Sequence, residues 1–181
     1  MTRSVHPLAV HFRHAVATMR PEPAEGPSTS PDRIEWTWAL FEAQATSRHL
    51  DFVARELQQQ GQGFYTIPSA GHESNALVAM ALRATDPALL HYRSGAFYLA
   101  RARQVPGSTP IRDVLQGLMA LADEPIAGGR HKVFGHPALA IIPQTSTIAS
   151  HLPRAMGVAF SIARARKLGV PGNWPDDAVT V

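Results

Sequence analysis

The sequence predicts an α/β domain built on a parallel sheet. Three short apolar segments, at 88–92, 139–143 and 178–181, have the length and composition of buried strands. Helical patterns separate them, and strands joined through helices pair in parallel, because a parallel pair needs a long crossover. With 181 residues, 45% of them hydrophobic and 17% charged, the chain is long enough for one sizeable domain of ordinary globular composition.

The first 30 residues differ in composition from the rest of the chain. Residues 1–20 carry three arginines and no acidic side chain, and 20–31 are rich in proline. A proline-rich stretch cannot form a helix or a central strand. Few serines and no clear amphipathic stripe argue against a transit peptide. We therefore predict a disordered tail and linker in 1–30 and a folded part in 31–181.

The folded part is predicted to begin with a long helix at 31–60. Ser30 or Asp32 can cap this helix, Pro31 is tolerated in a first turn, and Gly61 supplies the stop. Apolar side chains recur along it at three- and four-residue spacing, which predicts one buried stripe. Similar patterns predict further helices at 71–83, 97–103, 111–121 and 151–169.

Charge and composition argue against several classes of protein. The formal net charge is +3 and no long run of like charges occurs, so we expect no nucleic-acid partner. With no cysteine, the chain has no disulfide, thiolate metal site or cysteine nucleophile, which suits a cytoplasmic protein. No stretch of about 18 apolar residues occurs, so we expect no membrane-spanning segment and no membrane partner.

Two polar segments, 91–94 and 144–147, directly follow predicted strands. In open parallel sheets, ligands bind outside the carboxyl ends of strands. The guanidinium of Arg93 matches phosphate oxygens, the hydroxyl of Tyr92 can donate, and segment 144–147 leads into a helix start that favours an anion. These groups predict a phosphate-binding corner. The alternative is that Arg93 caps a helix or pairs with Asp86 while Tyr92 belongs to the core.

Other chemistries fit the sequence less well. Ser146, His151 and Asp176 could form a catalytic triad, but no nucleophile-elbow pattern surrounds the serine, and a serine before a helix is usually a cap. No histidine pair has the spacing of a helical metal site, and no acid accompanies His131 and His136, so we expect no zinc. A histidine that hydrogen-bonds a substrate anion fits the pattern better.

Four short motifs occur in order along the folded part. They are a Gly-His-Glu-Ser helix start at 71–74, a Tyr-Arg pair at 92–93, a Gly-Gly-Arg loop at 128–130 and a serine-to-proline turn at 146–153. In this order and spacing they resemble the alpha part of the thiamin-diphosphate-dependent, decarboxylating component of 2-oxo acid dehydrogenase complexes. The branched-chain type is the most similar, in particular the bacterial form in which alpha and beta parts are fused.

The resemblance implies a thiamin-diphosphate-binding fold, three-layered with a parallel sheet, of which this chain would hold the N-terminal part. In that family the Tyr-Arg pair holds the cofactor diphosphate, so Tyr92 and Arg93 would take this role. Ser146 would contact the cofactor, and Ile148 would be the apolar wedge and backbone acceptor beside its aminopyrimidine ring. The cofactor would supply the electron sink, and the protein would supply orientation and a dry, charged site.

The chain departs from the family pattern at the loop that carries a histidine. The family places a histidine two residues before a loop glycine, whereas here Val133 stands before Phe134 and Gly135. His131 and His136 lie on either side of this position. Either could be the catalytic histidine, and we favour His136.

The Gly-Asp-Gly motif that binds magnesium and diphosphate in the family does not occur in this sequence. Asp176 and Asp177 cannot replace it, because they precede the last predicted strand and would lie at its far end. The resemblance therefore implies that the magnesium ligands lie beyond Val181.

The resemblance further implies an oxidoreductase that decarboxylates a 2-oxo acid and passes the acyl group to the lipoyl domain of an acyltransferase. The glutamate that activates the cofactor would come from the beta part, so this chain would be inactive alone and would work in a homo- or hetero-oligomer. Three alternatives remain open: an acetoin dehydrogenase, a transketolase-like thiamin enzyme, and a truncated module that only binds partner subunits.

Overall fold

A computed structural model describes residues 7–20, 30–64 and 67–181. The chain divides into two compact units, Met1–Glu35 and Trp36–Val181. The described helices are α1 (Pro7–Thr18), α2 (Pro31–Gln59), α3 (Asn75–Ala81), α4 (Gly95–Ala102), α5 (Pro110–Leu118), a 3₁₀ helix (Pro137–Leu139) and α6 (His151–Leu168).

Part of the predicted tail, Pro7–Thr18, forms helix α1, which has no acidic side chain in its first turn. Phe12 and Val16, four residues apart, are both more than half exposed, so α1 presents apolar side chains to its surroundings. Most of the predicted proline-rich linker, residues 21–29, lies outside the described residues.

The core of the second unit is built around α4, every residue of which is buried. Small side chains allow α3 to pack closely on it, because Ala76 and Ala79 of α3 and Ala96 of α4 expose no surface at all. The side-chain oxygen of Asn75 accepts the backbone N–H of Phe97 at 3.0 Å, which satisfies one of the free donors in the first turn of α4. The start of α3 thus fixes the start of α4.

The prediction of an α/β fold with a three-layer parallel sheet is wrong. The described part of the chain is mainly helical and contains neither a strand nor a sheet. The segments predicted as strands pair only at single residues. Ala88 forms a parallel bridge with Ile141, and Val181 exchanges backbone hydrogen bonds of 2.8 and 3.1 Å with Leu89 and Pro87.

Local chemistry explains why these extended segments do not become a ladder. Pro87 and Pro143 flank the pairing residues and have no N–H to donate. The carbonyls of Asp86 and Leu139 accept Nη1 of the buried Arg101 at 2.9 and 3.2 Å. Leu139 also belongs to the 3₁₀ helix. The apolar pattern therefore predicted burial at 88–90 and 139–141 but not at 178–181, where Val179 is 49% exposed, and it could not predict pairing.

A cluster of charged side chains ties residues 177–179 to the loop after α3. Arg83 donates to both carboxylate oxygens of Asp177 at 3.0 and 2.9 Å and to Asp86 at 2.9 Å. The buried carboxylate of Asp86 also accepts the backbone N–H of Val179 at 3.0 Å. We call Arg83, Asp86 and Asp177 the carboxylate clasp, which holds the extended segment 178–181 beside Ala88.

Candidate functional site

Three histidine rings meet at the Tyr92–Arg93 pair, just after the extended segment that contains Ala88. The ring of His91 stacks on that of His72, with centroids 5.8 Å apart and planes 19° apart. It meets His151 edge to face at 6.2 Å and Tyr92 at 4.0 Å. We call the group the histidine corner; it consists of His72, His91, Tyr92, Arg93 and His151.

Arg93 is fixed in this corner by backbone groups. Its Nε donates to the carbonyl of Pro68 at 2.9 Å and its Nη2 to the carbonyl of Ala70. It therefore neither caps a helix nor pairs with Asp86, whose carboxylate is held by the carboxylate clasp. Within the described part of the chain, Nη1 makes no hydrogen bond. That end of the guanidinium remains free for a ligand.

The electrostatics of the corner favour an anion. Burial lowers the pKa of His91, and the positive charges of His72, His151 and Arg93 lower it further. The Nδ1 atom of His91 accepts the backbone N–H of Arg93 at 3.2 Å, so the neutral ring carries its proton on Nε2. An anion that binds between such positive groups is attracted to each of them, and this attraction offsets their mutual repulsion.

The second predicted polar segment approaches the corner through α6. Ser146 is exposed in the loop before α6, and Ile148 is 73% exposed. Neither makes a hydrogen bond to the corner within the described residues. The loop is held by a 3.1 Å hydrogen bond between the hydroxyls of Thr145 and Ser150. His151, the first residue of α6, is the point at which this segment reaches His91.

The two candidate catalytic histidines lie elsewhere. His136 pairs its backbone with Ile141 through hydrogen bonds of 3.0 and 3.1 Å, and its Nδ1 is buried with no hydrogen-bond partner among the described residues. It lines two cavities, of about 80 and 210 Å³. His131 is exposed. In the described regions, no ring contact or hydrogen bond joins either histidine to the histidine corner.

The other members of the histidine corner have weaker signals in the sequence. Nothing in the sequence pattern placed His72 and His151 beside His91. Each stands at the start of a predicted helix, and His91 at the end of a predicted strand. Asp51 was missed entirely, although a lone acid between Leu50 and Ala54 on the buried face of α2 is a recognisable signal.

In the described parts of the chain, no group of three or more histidine, aspartate or glutamate side chains could hold a metal ion. None of the helices found there is both long enough and apolar enough to cross a bilayer. Comparisons with models of protein families and with curated proteins find no match to this chain.

Proposed function

We propose that this chain is the alpha part of a thiamin-diphosphate-dependent 2-oxo acid dehydrogenase and that the histidine corner binds the cofactor diphosphate. The observation that carries the proposal is the contact between His91 and His151, with ring centroids 6.2 Å apart. It joins segment 91–94 to the start of α6, the helix that follows segment 144–147. The residue pattern assigns both segments to an anion, and the family resemblance assigns both to the cofactor. The proposal rests on this site and not on the fold.

The residues of the corner suit a diphosphate. The free Nη1 of Arg93 offers a charged donor, and the Tyr92 hydroxyl offers a neutral one. The Nε2–H of His91 adds a further donor, while His72 and His151 contribute positive charge when protonated. Ser146 and Ile148, exposed before α6, would contact the rest of the cofactor.

The bound cofactor would supply the electron sink for decarboxylation of a 2-oxo acid. The chain's own groups would hold the diphosphate and fix its orientation. His136 remains our proposed catalytic histidine, and His131 is the alternative. The residues described here do not fit magnesium, because no carboxylate cluster adjoins the corner. We propose that the metal ligands and the beta part come from outside residues 1–181.

In this proposal the chain is cytoplasmic and acts with two partners, the beta part and the lipoyl domain of an acyltransferase, in a homo- or hetero-oligomer. The exposed side chains Leu152, Met156 and Phe160, four residues apart on α6, would be covered in such an assembly. No nucleic acid or membrane partner is included. Alone, the chain is expected to bind cofactor without turning over a 2-oxo acid.

The experiment that tests the proposal is calorimetric titration of Arg93→Ala with thiamin diphosphate. Removing a charge-assisted donor from a phosphate should cost about 1.5–3 kcal/mol of binding free energy. Arg103→Ala is the matched control, because Arg103 is an exposed arginine that pairs with Glu42. We expect the control to bind like the wild type.

Equal cofactor affinity in Arg93→Ala and the wild type would contradict the proposal. So would a loss of affinity of the same size in Arg103→Ala, since it would indicate a general effect of positive charge and not a built site.

A further inference from the structure

Each of the four consecutive residues 67–70, which precede α3, has one backbone group that is hydrogen-bonded to a charged side chain. Nζ of Lys132 donates to the carbonyl of Ile67 at 3.2 Å. The guanidinium of Arg93 donates to the carbonyls of Pro68 and Ala70. Between these two carbonyls, the backbone N–H of Ser69 points the opposite way and donates to Oδ1 of Asp51 at 2.7 Å. We call residues 67–70 the clamped turn.

Asp51 holds this turn from inside the protein. It lies on the buried face of α2 with 6% of its surface exposed, and its second oxygen meets Arg48 at 3.4 Å. A carboxylate is costly to bury unless its oxygens are paired. The Ser69 N–H and the Arg48 guanidinium supply this pairing for the two oxygens of Asp51.

We propose that Asp51 is a positioning residue for Arg93. By fixing the N–H of Ser69, Asp51 sets the direction of the two adjoining carbonyls, of Pro68 and Ala70. Those carbonyls take Nε and Nη2 of Arg93 and thereby aim Nη1 at the ligand. Within the described residues Asp51 makes no hydrogen bond to Arg93, so it would act on Arg93 through the turn. This inference rests on the proposed role of Arg93 in diphosphate binding.

The variant Asp51→Asn distinguishes the hydrogen bond to Ser69 from the negative charge of Asp51, because it keeps an acceptor and removes the charge. The amide oxygen of Asp51→Asn can still accept the Ser69 N–H, whereas Asp51→Ala removes the acceptor. Asp51→Ser provides a second disruptive variant, because its hydroxyl is one bond too short to reach. Arg48→Ala is the matched control, since it removes the other partner of Asp51 and leaves the Ser69 contact in place.

The first measurement follows the Nε–H of Arg93 by NMR in the full chain without ligand, with the signal assigned by its loss in Arg93→Lys. Because the Nε–H of Arg93 donates to the carbonyl of Pro68, we expect this hydrogen to exchange slowly in the wild type, in Asp51→Asn and in Arg48→Ala. In Asp51→Ala or Asp51→Ser, exchange should be faster by about tenfold or more. Unchanged exchange in a folded disruptive variant would overturn the inference.

The second measurement is the affinity for inorganic diphosphate. Asp51→Ala should bind about tenfold more weakly, as expected for loss of an outer-shell partner, and Asp51→Asn should stay within about twofold of the wild type. If Asp51 acts only through Arg93, then Asp51→Ala/Arg93→Ala should bind no more weakly than Arg93→Ala. If the losses of diphosphate affinity in the two single variants add up in the double variant, the inference that Asp51 acts through Arg93 is wrong.

The two measurements distinguish failure of this inference from failure of the proposed function. If Arg93→Ala binds diphosphate as the wild type does, the proposed function fails. The exchange of the Arg93 Nε–H would then still decide whether Asp51 positions that side chain.

Discussion

Gly129 shows how a single residue can limit the chain to one loop conformation. Its φ is +72°, in the left-handed region that glycine adopts without strain. An added Cβ would lie 2.4 Å from the backbone carbon and oxygen of Ala120 and 2.8 Å from the carbonyl oxygen of Leu121. Because these are backbone atoms, no side-chain rotation can relieve the overlap. The second glycine of the Gly-Gly-Arg motif is therefore required by packing.

We predict that Gly129→Ala lowers the free energy of unfolding by about 2–4 kcal/mol, from left-handed strain together with overlap. Gly157→Ala is the control, because Gly157 lies inside α6 and an added Cβ meets nothing within 4 Å. That variant should be more stable by about 0.5–1 kcal/mol. Urea denaturation followed by circular dichroism measures both, and a stable Gly129→Ala protein would contradict the packing argument.

Residue types could be predicted from the sequence more readily than their partners. Tyr92 and Arg93 were selected because a fork of donors follows a predicted strand, and they lie in the histidine corner. The partners of Arg93 could not be predicted, because they are carbonyls of Pro68 and Ala70, more than 20 residues away and without a side-chain signal. Backbone carbonyls occur at every position, so a sequence does not show which ones an arginine will bind.

At the scale of elements, the carboxylate clasp takes the place of a sheet in holding the extended segments together. Asp86 accepts the N–H of Val179 at 3.0 Å and the N–H of Arg83 at 2.8 Å, and it pairs with the Arg83 side chain. We predict that Asp86→Ala lowers the free energy of unfolding by about 1.5–3 kcal/mol, because three donors lose a charged acceptor. Asp177→Ala, which removes an exposed partner of Arg83, should change the free energy of unfolding little.

The same clasp makes stability depend on pH. Burial acts to raise the pKa of Asp86, but the Arg83 guanidinium and the N–H groups of Val179 and Arg83 outweigh it and hold the pKa below its usual range. A carboxyl whose pKa is lower in the folded state stabilises above about pH 4 and loses that contribution as the pH falls further. In Asp86→Asn, the free energy of unfolding should therefore fall less steeply than in the wild type as the pH drops below about 4. The same dependence on pH in both proteins would contradict this prediction.

Helices were predicted more accurately than strands, for a physical reason. The spacing along 31–60 is local and agrees with helix α2, which ends at Gln59, but the predicted buried stripe does not: Trp38 is 65% exposed, and the buried face consists of Ala43, Ser47, Leu50, Asp51 and Ala54. Segment 71–83 begins as turns, in which Glu73 accepts the backbone N–H of Gly71 at 2.7 Å, and its helix covers only Asn75–Ala81. Strand formation depends on partners elsewhere in the chain, which local spacing does not reveal.

At the scale of the whole molecule, the proposed function depends on three stretches that are distant in sequence. His72 precedes α3, His91 follows the extended segment at Ala88, and His151 begins α6. The bridge between Ala88 and Ile141 brings the last two stretches side by side, since a polar segment follows each of the paired residues. A single pair of residues in register can therefore assemble a site that the missing sheet was expected to build.

The central claim is that this assembled corner binds a diphosphate, and the most direct measurement is an NMR titration of the His91 ring. In the free chain, burial and the charges of His72, His151 and Arg93 should hold the pKa of His91 below its ordinary value of 6.5. Saturating inorganic diphosphate should raise that pKa, so that binding takes up a proton and strengthens as the pH falls. A His91 pKa that diphosphate leaves unchanged would contradict the account.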